Sequence, residues 1–152
     1  MNDDELFTYS RILIPKLADF VWSDVNYEQA DLTLSNNQCR LVLQMLAHPE
    51  RCMHELGMRA NIKKSTMTGI VHSLESEKIL ARFTDGDDRR RTTLALTDIG
   101  YEIGYALRKK NKTECLNKKN TLSNDDQKEL AVCVKTLNEI MDKLKENTNG
   151  KN

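Results

Sequence analysis

Very little in this chain interrupts a helix. Among 152 residues there are only two prolines and six glycines, and aromatic residues make up 5%, which excludes collagen-like and low-complexity architectures. A membrane-spanning run is missing as well: near the start Ile12 to Ile14 stops at Pro15, whereas a bilayer needs about 20 apolar residues. The four cysteines (Cys39, Cys52, Cys115, Cys133) contain no Cys-x-x-Cys pair. His54 lies two residues from Cys52, with only His48 and His72 besides, so no zinc spacing appears and neither metal nor cofactor is expected. With no secretory leader at the start, the thiols are read as free, buried and inert in a cytoplasmic protein. Glycine-rich phosphate loops, nucleophile elbows and paired catalytic carboxylates are lacking too, so no enzyme is expected.

Net charge is zero, which argues against a non-specific nucleic-acid coat, but the charge is unevenly spread. From Met1 to Leu34 seven acidic residues face Arg11 and Lys16, a balance of −5. From Arg51 to Arg91 nine basic residues face six acidic ones, a balance of +3, and Tyr105 to Thr121 adds +5. A chain of this length fits one domain, able to bury about 68–70% of its unfolded surface.

Leu6, Phe7, Ile12, Leu13, Leu17, Phe20, Val21 and Val25 predict one long helix or two shorter ones from Asp3 to about Gln29, broken or kinked at Pro15. Ser35-x-x-Gln38 reads as a capping box that opens a helix through Leu41, Val42, Met45 and Leu46. Cys52 to Ala60 then forms a short helix, and Lys64 to Glu77 a second. In the second, Met67, Ile70, Val71 and Leu74 fall at i, i+3, i+4 and i+7, one apolar stripe. The opposite face holds Ser65, Thr66, Thr68, Gly69, His72 and Ser73, with nothing bulky. Leu80 to Thr84 and Thr92 to Leu96 flank an Asp85-Gly86 turn signal and Asp88-Arg89-Arg90-Arg91, which predicts a hairpin with a long, arginine-rich loop. Thr97 can cap the next helix, running through Ile99, Ile103 and Leu107 towards Leu116. A last helix begins near Thr121; there Leu130, Leu137 and Leu144 recur every seven residues, the seam spacing of a helix packed lengthwise on another.

Glu55-Leu56, Lys64-Ser65-Thr66-x-Thr68, Leu74-Glu75, Asp88-x-Arg90, Leu96-Thr97 and Gly100 fall in one register. On these residues the chain resembles, from Leu34 to Gly100, the MarR family, the multiple-antibiotic-resistance type of bacterial winged helix-turn-helix regulators. The resemblance implies a mainly α fold with a small β-hairpin, a winged helix-turn-helix flanked by N- and C-terminal dimerisation helices. Expected boundaries are 1–33 for the N-terminal dimerisation helix, 34–97 for the DNA-binding lobe, 98–147 for the C-terminal dimerisation helices and 148–152 for a polar tail.

It implies further a homodimer, holding a pseudo-palindromic double-stranded DNA operator, with Leu6, Leu13, Leu130, Leu137 and Leu144 at the dimer interface. Lys63, Lys64, Ser65, Thr66, Thr68 and His72 would meet bases or phosphates. Asp88 would brace a wing arginine, Arg89, Arg90 or Arg91, in the minor groove. Where the family has a capping residue this chain has Lys63, with Asn61 or Ser65 as substitutes, and where the family often has a long polar side chain it has Gly69. A small-molecule effector crevice lined by Phe7, Trp22, Tyr27 and Met45 is a further expectation, and no membrane contact is expected. The alternative is a winged-helix module that binds protein without specific DNA binding.

Overall fold

The computed structural model describes residues 2–22, 27–29, 32–49, 51–84 and 92–149. They divide into two compact units, residues 1–114 and 115–152.

The first unit opens with α1 (Asp3–Trp22). Asn2 Oδ1 accepts from the Glu5 N–H at 2.8 Å while Glu5 Oε2 accepts from the Asn2 N–H at 2.9 Å, a reciprocal cap. Asp3, Asp4 and Glu5 place negative charge at the positive end of the helix dipole. Of the break or kink expected at Pro15, the break does not occur: Pro15 lies inside this helix, which runs on past it to Trp22. The ring removes a single i to i−4 donor, and the turns on either side carry the helix through. Residues 1–33 are not one helix, however. The chain forms β1 (Tyr27–Gln29) and β2 (Leu32–Leu34), antiparallel with Tyr27 opposite Leu34. Tyr27 and Leu32 pack on the core and Leu34 is buried in it, so the ladder is held by packing rather than by length.

Ser35 and Gln38 form the expected capping box, and α2 (Asn36–Ala47) buries Cys39, Leu41, Val42, Leu43 and Met45. A two-residue strand, β3 (Arg51–Cys52), leads into α3 (Met53–Arg59), then come α4 (Lys64–Ser76), β4 (Leu80–Thr84) and β5 (Thr92–Leu96). The sheet has the order β3-β5-β4, all antiparallel; Leu80 lies opposite Leu96, and Arg51 opposite Leu94. α5 (Asp98–Lys119) starts at Thr97, whose hydroxyl accepts from the Gly100 N–H at 3.1 Å. Its buried residues are Gly100, Ile103, Gly104 and Leu107; Ile99, expected on that face, is exposed. Leu34, Leu41, Leu56, Val71, Leu74, Ile79, Leu80 and Leu94 make one core, with no charged residue buried among the described residues.

The second unit carries α6 (Asn124–Asn149). Ser123 Oγ accepts from the Asp126 N–H at 3.2 Å and so caps it. Leu137, Ile140, Met141 and Leu144 are exposed in the single chain, whereas Leu130 is half-buried.

Candidate nucleic-acid interface

Two helices ended by left-handed residues frame the site. After α3, Asn61 has φ 53°, its N–H bonds the Met58 carbonyl at 3.1 Å, and the Ile62 N–H bonds the Gly57 carbonyl at 2.9 Å. That double return is a Schellman motif. Asn61, expected with Ser65 as a substitute cap for α4, therefore closes α3 instead. After α4, Lys78 has φ 58°, with its N–H on the Glu75 carbonyl and the Ile79 N–H on the Leu74 carbonyl, the same motif built without glycine. The N-cap of α4 is Lys63, which makes no side-chain cap bond.

The stripe of Met67, Ile70, Val71 and Leu74 is buried as its spacing predicts. Two polar ties hold the back of the helix. Gln38 Nε2 donates to Ser73 Oγ at 3.0 Å, and Arg82 Nε donates to Glu75 Oε2 at 2.9 Å. Ser73 was expected on the open face; its hydroxyl is instead turned to α2. Lys63, Lys64, Ser65, Thr66, Thr68, Gly69 and His72 are exposed on one face and its leading end, and Ser76 at its far end. No acidic side chain lies among them. The strands of the hairpin pair as far as Thr84 opposite Thr92. Asp88, Arg89, Arg90 and Arg91 lie outside the described residues.

Three of the four residues expected at an effector crevice share the core, and one is exposed on α1. Met45 is core, at 2% exposure, Trp22 and Tyr27 pack against the core, and Phe7 is 64% exposed with the Arg11 guanidinium 5.6 Å from its ring centre. A groove of about 680 Å³ opens elsewhere, between α3, the start of α4 and the sheet, lined among others by Cys52, Met53, Met58, Lys64 and Met67. Sequence reasoning missed it, although the methionines on either side of the turn were a signal, since flexible thioethers often line adaptable cavities.

Of the four cysteines only Cys39 is buried, which corrects the expectation of buried, inert thiols: Cys52 and Cys115 are half-buried and Cys133 is exposed. Burial pushes the Cys39 thiol up to about 11, against smaller lowering effects of a Tyr27 backbone hydrogen bond and the Lys110 charge. His48 Nε2 accepts from Arg59 Nη1 at 3.2 Å, and its pKa is lowered by desolvation first, then by the charges of Arg59 and Arg51. No group of three His, Cys, Asp or Glu among the described residues could hold a metal ion. No described helix is long and apolar enough to cross a membrane. Leu6 and Leu13 are exposed on α1, in the first unit, and Leu137 and Leu144 on α6, in the second.

The sequence model of the MarR family matches residues 34–92. No curated protein matches the sequence. Among solved structures, the PcaV transcriptional regulator from Streptomyces coelicolor, in complex with its natural ligand, is similar at 21% identity and a TM-score of 0.60, over 89% of this chain and 91% of that one. The Staphylococcus aureus MepR–DNA complex is similar at 18% identity and a TM-score of 0.61, over 91% and 98%. Bordetella bronchiseptica BpsR, whose DNA binding is regulated by 6-hydroxynicotinic acid, is similar at 15% identity and a TM-score of 0.64, over 86% and 98%. At these identities the likeness establishes the fold.

Proposed function

From a MarR-family winged helix-turn-helix at residues 34–92, we propose that this chain is a DNA-binding transcriptional regulator acting as a homodimer on a pseudo-palindromic operator, and that it is a ligand-responsive repressor. The observation that carries the proposal is the α4 face. The Ser65, Thr66 and Thr68 hydroxyls and the His72 imidazole are exposed, its back is held by Gln38 and Arg82, and Lys63 and Lys64 stand at an N-terminus without a side-chain cap. A helix N-terminus attracts anions through its free N–H groups and dipole, so a phosphate is favoured there while Ser65, Thr66, Thr68 and His72 meet base edges.

Dimerisation is supported by the apolar side chains that each unit leaves uncovered, Leu6 and Leu13 on α1, Leu137 and Leu144 on α6. Each lobe of the dimer would take one half-site, with centres roughly 34–36 Å apart. A small-molecule effector is supported by PcaV, solved with its natural ligand, and by the regulation of BpsR. Repression is taken from the family resemblance.

The test is a fluorescence-anisotropy titration on duplex DNA across a salt series. A dimer that neutralises about eight phosphates gives log K against log[salt] a slope of about −7. A slope near zero, or a monomer by sedimentation at binding concentrations, defeats the proposal; capture of a protein partner with no DNA affinity favours the interaction module.

A further inference from the structure

We propose that Gly69 is a specificity-determining residue of the DNA-facing helix, its missing side chain leaving room for a thymine methyl group to rest against the helix backbone. The inference rests on the DNA-binding reading above. Gly69 is the sixth residue of the 13-residue α4, an interior position where glycine is the poorest helix former short of proline. A fold calls for glycine where φ is left-handed or where its own atoms come close. Neither applies at Gly69: no described glycine has positive φ, and a Cβ built there meets nothing within 4 Å.

The other described glycines are different. A Cβ at Gly100 would come to 2.0 Å of the Ile79 carbonyl oxygen, which packing forbids, while at Gly104 and Gly57 it would make ordinary van der Waals contacts, 3.4 Å from Leu46 and 3.6 Å from Met67 Sδ. Gly69 alone among them has open space where a Cβ would stand, so its bare Cα is left to whatever the helix faces. One turn before it stand Ser65 and Thr66, one turn after it His72, and beside it Thr68, all exposed. These hydrogen-bonding groups ring a patch of backbone whose own N–H and C=O groups are engaged in the helix. Such a patch offers only C–H surface. In the major groove the matching apolar feature is the 5-methyl group of thymine, and a bare Cα lets it approach closer than any side chain would.

The test uses duplexes enriched on the wild-type chain from a random-sequence library. Gly69→Ala is expected to melt no lower than wild type, yet to bind those duplexes about tenfold more weakly. At one thymine per half-site, replacement by deoxyuridine, which removes only the methyl group, is expected to weaken the wild type several-fold and leave Gly69→Ala unchanged. Affinity of Gly69→Ala within twofold of wild type overturns the inference, and so does a loss that leaves the effect of deoxyuridine the same in both proteins. A wild-type chain that enriches no duplex at all overturns the DNA-binding reading itself, and this inference with it.

Discussion

Replacing Gly100 with alanine tests how α5 is seated on the winged lobe. The new Cβ would lie 2.0 Å from the Ile79 carbonyl oxygen and 3.1 Å from Leu96 Cδ2, where a carbon–oxygen contact normally needs about 3.3 Å. More than an ångström of movement is required, and the oxygen cannot easily supply it. It accepts from the Thr97 N–H at 3.1 Å and from Thr97 Oγ1 at 3.2 Å, and the same hydroxyl reaches the Lys78 carbonyl at 2.5 Å. Overpacking of this kind costs about 1–3 kcal/mol, and weakening one or two of those hydrogen bonds adds about 1 kcal/mol each. The better helix propensity of alanine returns about 1 kcal/mol. A net loss of about 2–3 kcal/mol follows, which at about 2–4 °C per kcal/mol lowers Tm by about 5–10 °C. Urea unfolding followed by circular dichroism measures it, with a midpoint about 1 M lower. A Gly100→Ala protein as stable as wild type would mean that α5 is not locked to the turn after α4.

Lys78 carries a left-handed φ of 58° on an exposed residue, a conformation that costs a non-glycine residue about 1 kcal/mol; Lys78→Gly is expected to raise stability by about that amount in the same urea assay, and a loss would contradict the helix end described. Cys39 keeps its proton up to about pH 11 in the folded chain, against an ordinary 9.0. Below pH 9 both states hold the proton; between 9 and 11 the unfolded chain gives it up first, so this contribution to stability is lost across that window as pH rises. A thiol reagent at pH 8 should modify Cys39 only on unfolding, as mass spectrometry of tryptic peptides would show. Arg90→Ala should weaken operator binding by about 1–3 kcal/mol with the melting curve unchanged; unaltered affinity would remove Arg90 from the interface.

Local periodicity made much of the lobe legible in the sequence. Met67, Ile70, Val71 and Leu74 repeat at the helical spacing and are buried together, while Ser35 and Gln38 announce a cap that needs no distant partner. What was hidden depends on residues far apart in the chain. Arg51 and Cys52 form a strand only because Leu94 and Thr93 lie opposite them, and Tyr27 leaves the helical pattern to pair with Leu34. The ends of α3 and α4 were expected at Ala60 and Glu77, which are their C-caps; the left-handed closures at Asn61 and Lys78, a conformation usually signalled by glycine, were not foreseen. The same distinction runs through the candidate site. Spacing assigned a polar face to α4, but could not tell which of its polar groups the fold itself employs. Ser73 is taken by Gln38, 35 residues away, and Glu75 by Arg82. Once those internal bonds are made, Ser65, Thr66, Thr68 and His72 remain around Gly69, and a surface left over after the fold's own bonds are satisfied is where an external partner has groups to meet.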